Sequence, residues 1–371
     1  MKNQLRDLVL GRLTTRHKRR ILIIESDDWG TIRMPSSSVY QMLLSKGYPV
    51  DKCPYNRNDS LETDADMLAL IEVLRSAKDH TGRPAVITAN WIAANPDFDR
   101  IRDSGFQEYF WEPSNSTLER HPDSRQVFAL QKQALTERLF YPQFHGREHV
   151  HVAAWMKKLR AGDEAIRLAF NHRMISFNVN EVPSCESDIM DAYNAGDTND
   201  LKFSEASVTE GLKLFQETWG FASTTAIPPC YFWHEAHEQV MYNNGVMGIQ
   251  GIAVQKSPVV GKEKWKKKYH WTGQRNKNGQ IYLRRNVFFE PSILGREGAV
   301  SSAFAGIARA FEKGHAAIIS SHRLNYIGTI NPENRTSNLK LLKELLQLVV
   351  SKFPEVEFMH SADYLEFIRK P

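Results

Sequence analysis

The 371-residue chain has only three cysteines, Cys53, Cys185 and Cys230, odd in number and far apart. They cannot make a disulfide framework, and no Cys-x-x-Cys pair is there to seed a structural metal module. No apolar run approaches the ~18 residues of a membrane-spanning helix. Charge of either sign is scarce as a surplus: 48 Lys and Arg stand against 43 Asp and Glu. An excess of five is too small for the whole chain to bind nucleic acid by charge. Internal repeats and low-complexity tracts are missing. So are a G-x-S-x-G elbow, a P-loop and a G-x-G-x-x-G turn after a strand, which removes serine hydrolases, P-loop NTPases and Rossmann dehydrogenases. The opening MKNQLRDLVLGRLTTRHKRR has no long apolar core and no small-residue cleavage site. It reads as a short amphipathic helix over 1–20 ending in a basic run. The expectation is a cytoplasmic protein in a reducing compartment, without stable membrane insertion.

What is present is ordinary globular composition, 42% hydrophobic and 25% charged. Buried-strand signals alternate with helical ones. Strands are expected at 21–24, 85–88, 175–179, 222–227, 246–255, 316–320 and 356–359. Helices are expected at 63–78 (capped by Thr63), 125–139, 204–219 (stopped by Gly220), 235–243, 299–313 and 337–352. That alternation predicts an α/β fold with a parallel sheet, and about seven units suggest a distorted (β/α) barrel, with an open doubly wound sheet as the competitor. One domain over 1–371 is expected. Residues 256–290 interrupt the rhythm with ten lysines and arginines, two tryptophans and two tyrosines. Asn278-Gly279 between YHWTG and QIYLRR signals an inserted basic hairpin. That surface suits nucleic acid, an acidic sugar, or a solvated edge protected by lysines.

In parallel α/β folds the chemistry sits at the carboxyl ends of strands. The first strand ends Glu25-Ser26-Asp27-Asp28-Trp29-Gly30. Two adjacent carboxylates after a buried strand need a partner or a metal, unless they cap a turn. The run Phe144-His145-Gly146-Arg147-Glu148-His149-Val150-His151 holds three histidines, and on a helix or a strand the four-residue spacing puts His145 and His149 on one face. The strand at 316–320 ends Ser321-His322-Arg323, where a histidine suits acid–base work. Two histidines and a carboxylate can hold a divalent metal and leave room for water, with the spare carboxylate as base and His322 as acid. Zinc suits such mixed ligation best. Trp233-His234-Glu235-Ala236-His237 has its histidines three apart, which fails the HExxH spacing; a helix start or aromatic pocket lining is expected instead.

In this order these residues resemble the NodB-type polysaccharide deacetylases. Ser26-Asp27-Asp28-Trp29-Gly30 is similar to that family's Thr-Phe-Asp-Asp-Gly motif with one residue inserted, His145 to His149 to its His-x-x-x-His motif, and Ala317 to His322 to its late strand. Asp27-Asp28-Trp29-Gly30 and His149-Val150-His151 also resemble the YdjC-type sugar deacetylases. The resemblance implies a distorted (β/α) barrel and metal-dependent removal of N- or O-acetyl groups from a sugar. Carried over, it makes Asp27 the base, His322 the acid, and Asp28, His145 and His149 the metal ligands, with His151 as a possible replacement ligand. Two family features are missing. The stretch Ala226 to Tyr231 lacks the arginine that holds the base, for which Arg33, Arg147 or Arg323 would have to substitute, and no acidic-tryptophan motif orients His322.

A carbohydrate is therefore the expected partner, and nucleic acid is not. Sugar-stacking aromatics are sought among Trp29, Trp91, Trp155, Tyr231 and Trp233, although ordinary core packing is the expectation for most of them taken singly; Trp29, Tyr231 and Trp233, with Arg147, are the substrate contacts chosen. Without an export signal, a cytoplasmic glycan precursor or small sugar is expected. The competing functions are a metal hydrolase acting on an anionic substrate, and a catalytically degenerate barrel that binds a glycan or a partner protein. The oligomeric state is not legible.

Overall fold

The computed structural model describes residues 9–177, 189–262 and 264–370. Its strands are β1 (Arg20–Trp29), β2 (Ile87–Trp91), β3 (Ala94–Pro96), β4 (Trp111–Pro113), β5 (Phe140–Phe144), β6 (Thr225–Ala226), β7 (Gly248–Gly251), β8 (Val254–Pro258), β9 (Trp265–Tyr269), β10 (Ile281–Arg284), β11 (Val287–Phe288), β12 (Ala317–His322) and β13 (Val356–Phe358). Eight of them pair in the order β10-β7-β6-β5-β2-β1-β12-β11, and β13 adds to the start of β1. Every pairing in this sheet is parallel. The sheet curls into a distorted (β/α) barrel. Its two ends are β10 and β11, yet only Arg285 and Asn286 separate them in the chain. Three peptide units reach about 11 Å at most, so the edges must meet there. The Arg285 N–H donates to Gly251 O of β7 (2.8 Å) and the Asn286 N–H to Ile318 O of β12 (3.0 Å). Arg285 thus stands on the seam of the barrel.

Side-chain alternation divides the core in two. Ile21 and Ile23 of β1 pack inside the barrel with Ile281, Leu283, Ile318 and Met359. Leu22 and Ile24 face outward, under helices carrying Leu70, Leu74, Ile307, Leu342 and Leu346. The covering helices follow their sequence signals. Asp64–Ser76 starts with a reciprocal capping box between Thr63 and Asp66, and Glu235–Asn243 is capped by the His234 side chain. Ala299–Glu312 and Pro332–Lys352 flank the late strands. No helix among the described residues is long and apolar enough to cross a membrane.

Several boundaries differ from expectation. The helix expected from Ser204 begins at Thr198, because Asp197 accepts the N–H groups of Asn199 and Asp200. Ser204 instead lies mid-helix, its hydroxyl bonded to Leu201 O. The strand expected at 246–255 is two strands, β7 and β8. No strand forms over 175–177, and the rest of that expected strand, with Cys185, lies outside the described residues, as do residues 1–8 of the amphipathic start. Strand β5 is not among the expected strands, and it contains Pro142. It is tolerated because residues 139 and 145 bond to β2, which turns the Pro142 nitrogen toward β6, where Phe144↔Ala226 is the one ladder pair. The basic hairpin exists, but β9 pairs antiparallel with β8, not with QIYLRR. The latter contains β10, a barrel strand parallel to β7. Asn278-Gly279 forms only a local turn, bridged at Arg275↔Ile281.

Candidate active site

Barrel parity explains which side chains meet. On β1 the inward set Ile21, Ile23 continues into Glu25 and Asp27, all buried. On β12 the inward set Ile318, Ser320 continues to His322. On β10, Ile281 and Leu283 lead to Arg285. Asn90 and His145 follow the same parity on β2 and β5, whose outward residues Ala89, Trp91, Phe140 and Phe144 lie in the helix-covered core. Strict alternation would throw Asp28 outward. The β1–β2 register shifts between Ser26 and Trp29, and Asp28 takes a left-handed conformation (φ +74°) that brings it back to the same side.

Asp28, His145 and His149 present one donor atom each, all within 4.8 Å of one another. Nε2 of both histidines lies 3.4 Å from Asp28 Oδ1. The two rings do not come together by helical or strand spacing. They sit on a loop after β5 that turns at Gly146 (φ +125°). His145 Nδ1 is fixed by Ile227 O at 2.7 Å, which leaves Nε2 as the ligating nitrogen. Among the described residues, Nδ1 of His149 is buried without a hydrogen-bond partner. Asp28 Oδ2 accepts from Arg33 Nη2 at 3.0 Å. Burial opposes ionisation of Asp28, but Arg33 and His149 hold its carboxyl well below the usual range. Burial pushes His149 down to about 3 against the pull of Asp28, so its ring is neutral at pH 7. One carboxylate and two imidazoles, all buried, are a donor set that fits a divalent metal. His151 is not among them; its Nδ1 caps the helix Val152–Ala161 by accepting from Ala154 N.

Beside this group stands Asp27. Its Oδ2 accepts from Arg285 Nη1 (2.7 Å), and its Oδ1 from Arg285 Nη2 and from Asn90 Nδ2 (2.7 Å). Arg285 Nε also bonds Glu25 Oε2 at 2.6 Å, and Glu25 is held by the Ser361 hydroxyl at 2.7 Å. Burial alone would raise Asp27; Arg285, with His145 and His322 behind it, brings it to about 2. On the other side His322 Nε2 lies 3.7 Å from Asp27 Oδ2. His322 Nδ1 donates to Glu290 Oε1 at 2.7 Å, and Glu290 is fixed through Oε2 by Asn325 Nδ2. Burial would lower His322, but Glu290, then Asp27 and Asp28, lift it to about 10. Its ring is 19% exposed and meets Tyr55 edge-on.

Five residues picked from the sequence therefore converge: Asp27, Asp28, His145, His149 and His322. Tyr231 joins them, its hydroxyl 3.2 Å from Arg285 Nη1, on a turn where Cys230 and Tyr231 both have positive φ. The other chosen substrate contacts do not. Trp29 is 1% exposed, its indole N–H donating to Ser26 Oγ and its ring edge-on to Phe140. Trp233, also 1% exposed, donates to Glu238 and stacks on His270. Trp91 and Trp155 are fully buried. Rings enclosed in this way cannot stack on a sugar. Arg147 is taken up by Glu148 and Glu210. Nor does Arg33, Arg147 or Arg323 hold Asp27; Arg323 is engaged by Asp59 and Glu62. The holder is Arg285, and the acid that orients His322 is Glu290. Both were hidden because residues 256–290 read as an inserted hairpin. Read as a barrel strand, its carboxyl end would have exposed Arg285 by the same rule that found Asp27.

A cavity of about 400 Å³ adjoins this group through Arg33, lined also by Ile32, Asn95, Phe98, Arg120 and Arg173.

No family model matches the chain, and no curated protein matches it. Solved structures do resemble it. A polysaccharide deacetylase from Mycobacterium smegmatis is 9% identical with TM-score 0.43, covering 96% of this chain and 92% of its own. One from Pseudomonas aeruginosa is 9% identical with TM-score 0.47, covering 95% and 92%. A glycoside hydrolase/deacetylase from Parabacteroides distasonis is 8% identical with TM-score 0.49, covering 96% and 73%.

Proposed function

We propose that this chain is a metal-dependent hydrolase that removes an N- or O-acetyl group from a sugar or polysaccharide. The observation that carries the reading is the Asp28–His145–His149 donor set lying between two separately braced groups, Asp27 on Arg285 and His322 on Glu290. Packing has no use for such an arrangement at the end of an apolar barrel. The absent arginine and acidic partner that favoured a non-catalytic barrel are supplied by Arg285 and Glu290.

Asp28 Oδ1, His145 Nε2 and His149 would hold the ion, and the mixed nitrogen and oxygen set suits zinc. A divalent ion bound there would supply Lewis-acid chemistry, polarising the acyl carbonyl and making a nearby water more acidic. Asp27, ionised down to pH about 2, would take the proton of the attacking water. So low a pKa makes Asp27 a weak base, so its task is feasible only for a water already acidified. The bidentate grip of Arg285 fixes the carboxylate plane and leaves the His322 side of Oδ2 for that proton. His322 is protonated at neutral pH. It would deliver its Nε2 proton to the leaving nitrogen or oxygen as the bond to the acyl carbon breaks, while Glu290 keeps the ring oriented through Nδ1.

The test is metal content of the purified chain beside the Asp28→Ala and His149→Ala variants, followed by acetate release from acetylated sugars. About one equivalent of metal in the wild type, lost in both variants, is expected. A wild type that stays metal-free after incubation with zinc would overturn the proposal.

A further inference from the structure

The ladder between β1 and β12 ends with the pair Asp27↔His322. Beyond it β1 runs through Asp28 into the segment 30–32, and β12 runs into a short 3-10 helix that opens with Arg323. The buried Arg323 side chain crosses between the two. Its Nη1 donates to Thr31 O (2.8 Å) and to Glu62 Oε2 (2.7 Å), and its Nε donates to Asp59 Oδ1 (3.1 Å). The other oxygen of Glu62, Oε1, accepts from Gly30 N at 3.0 Å and from Gln131 Nε2 at 3.1 Å. Asn95 completes the set: Nδ2 donates to Gly30 O (2.8 Å), and Oδ1 accepts from Ile32 N (3.0 Å). Backbone groups of Gly30, Thr31 and Ile32 are thus all held by buried side chains.

That segment lies between Asp28 and Arg33, the arginine that orients its carboxylate. Asp28 owes its direction to a left-handed backbone (φ +74°), which a residue with a side chain keeps only where its surroundings enforce it. Arg33 Nη2 donates to Asp28 Oδ2 at 3.0 Å, and Arg33 Nε lies 3.5 Å from Asp59 Oδ2. Asp59 therefore bridges Arg323 and Arg33. Arg323 reaches Asp28 along two routes, one through the backbone of 30–32 and one through Asp59 and Arg33. Arg323, Asp59 and Glu62 are all 0% exposed on their side chains. Desolvation of such charges offsets most of their attraction, so stability alone does not account for them.

We propose that Arg323, with Glu62 and Asp59, positions the metal ligand Asp28. The three hold the 30–32 segment so that Asp28 keeps its left-handed backbone and Oδ1 stays beside the two histidines. Arg323 directly follows His322, so one side chain also sets the ligand against the proton donor. They are positioning residues, acting through Gly30, Thr31 and Arg33. The role rests on the reading of Asp28, His145 and His149 as metal ligands.

The experiment uses the full chain as wild type, Arg323→Met, Arg323→Lys, Glu62→Gln and Leu342→Ala. The last loosens the helix-covered core away from the 30–32 segment and reads the effect of lost stability alone. Calorimetry gives zinc affinity, cobalt(II) absorption reports the ligand geometry, and hydrogen exchange of the metal-free chain reports protection over 28–32. Arg323→Met should weaken zinc binding about ten- to hundredfold, alter the cobalt spectrum and speed exchange over 28–32. Glu62→Gln should weaken zinc binding about tenfold, because its one carbonyl oxygen cannot serve both Gly30 N and Arg323 Nη1. Arg323→Lys should fall between wild type and Arg323→Met, since one ammonium cannot serve Thr31, Glu62 and Asp59 together. Leu342→Ala should leave affinity and spectrum as they are. If Arg323→Met does not fold, Arg323→Lys and Glu62→Gln decide. Wild-type zinc affinity and cobalt spectrum in those two, or an equal loss in Leu342→Ala, would overturn the positioning role and leave the hydrolase reading standing. A wild type that takes up neither zinc nor cobalt would overturn the hydrolase reading, and the positioning role with it.

Discussion

Replacing Arg285 tests the centre of the structure most directly. Its guanidinium is fully buried on the barrel seam and is shared by two buried carboxylates, Glu25 through Nε and Asp27 through both terminal nitrogens. Arg285→Met keeps much of the side-chain volume but leaves two negative charges in an apolar barrel with no cation between them. Removing one partner of a buried ion pair costs about 3–5 kcal/mol, because the orphaned charge must be neutralised or the site must open to water. With an unfolding entropy scaled to a chain of this length, that is a fall in Tm on the order of 5 °C. The chemistry should change in a diagnostic direction. Burial raises Asp27 and Arg285 is the first group opposing it. Without Arg285 the carboxyl should titrate above its free value near 4, so the acid limb of kcat/KM moves up from the region of pH 2. Arg285→Lys should restore part of the stability and little of the activity, since one ammonium cannot grip Asp27 with two nitrogens and reach Glu25 as well. Thermal unfolding and pH–rate profiles on an acetylated sugar check both. An Arg285→Met protein with unchanged Tm and an unmoved acid limb would refute the argument that this arginine sets the base.

Glu290→Gln should lower the pKa of His322 from about 10, because the carboxylate that stabilises the imidazolium is gone; the alkaline limb of the rate profile then falls at lower pH, while metal content stays unchanged. Gly146→Ala should cost about 1–3 kcal/mol and weaken metal binding. Its φ of +125° suits glycine, and an added Cβ would lie 3.2 Å from Tyr193 Oη and 3.3 Å from Glu148 O, in the loop that aims His145 and His149. Calorimetry of zinc binding reads the second effect. Away from the site, burial holds His237 down to about 3, with its Nε2 against Ser204 Oγ. The unfolded chain takes up this proton near pH 6.5 and the folded one does not. Stability is therefore lost as pH falls below 6.5, by ~1.4 kcal/mol per unit, or ~2.7 kcal/mol at pH 4.5. Urea unfolding of wild type and His237→Gln at pH 7 and 4.5 should show the variant losing that much less; equal losses would refute it.

The one-dimensional patterns were enough for much of this. Continuous β-branched runs marked β1 and β12, since strands buried on both faces have no polar side to show. Thr63, Gly220 and the His234 turn marked helix ends, because capping is a local transaction between neighbouring residues. Carboxylates and histidines at strand ends picked out Asp27, Asp28, His145, His149 and His322, since an apolar interior tolerates such groups only in company. Tertiary structure decided the company. Arg285 follows β1 by about 260 residues in the chain and reaches Asp27 only because the stretch around β11 pairs beside β12, and the same β11–β12 pairing sets Glu290 against His322. It decided the pairing of the basic hairpin, because a turn signal at Asn278-Gly279 cannot say that β10 gains more by joining β7. It also decided the fate of the tryptophans. A sequence shows an aromatic side chain next to a motif, but whether the ring lines a cleft or fills the core depends on which face of the sheet it takes. Trp29 lies one residue beyond a bulge, and that single shift in register put its ring into the core and turned Asp28 toward the histidines.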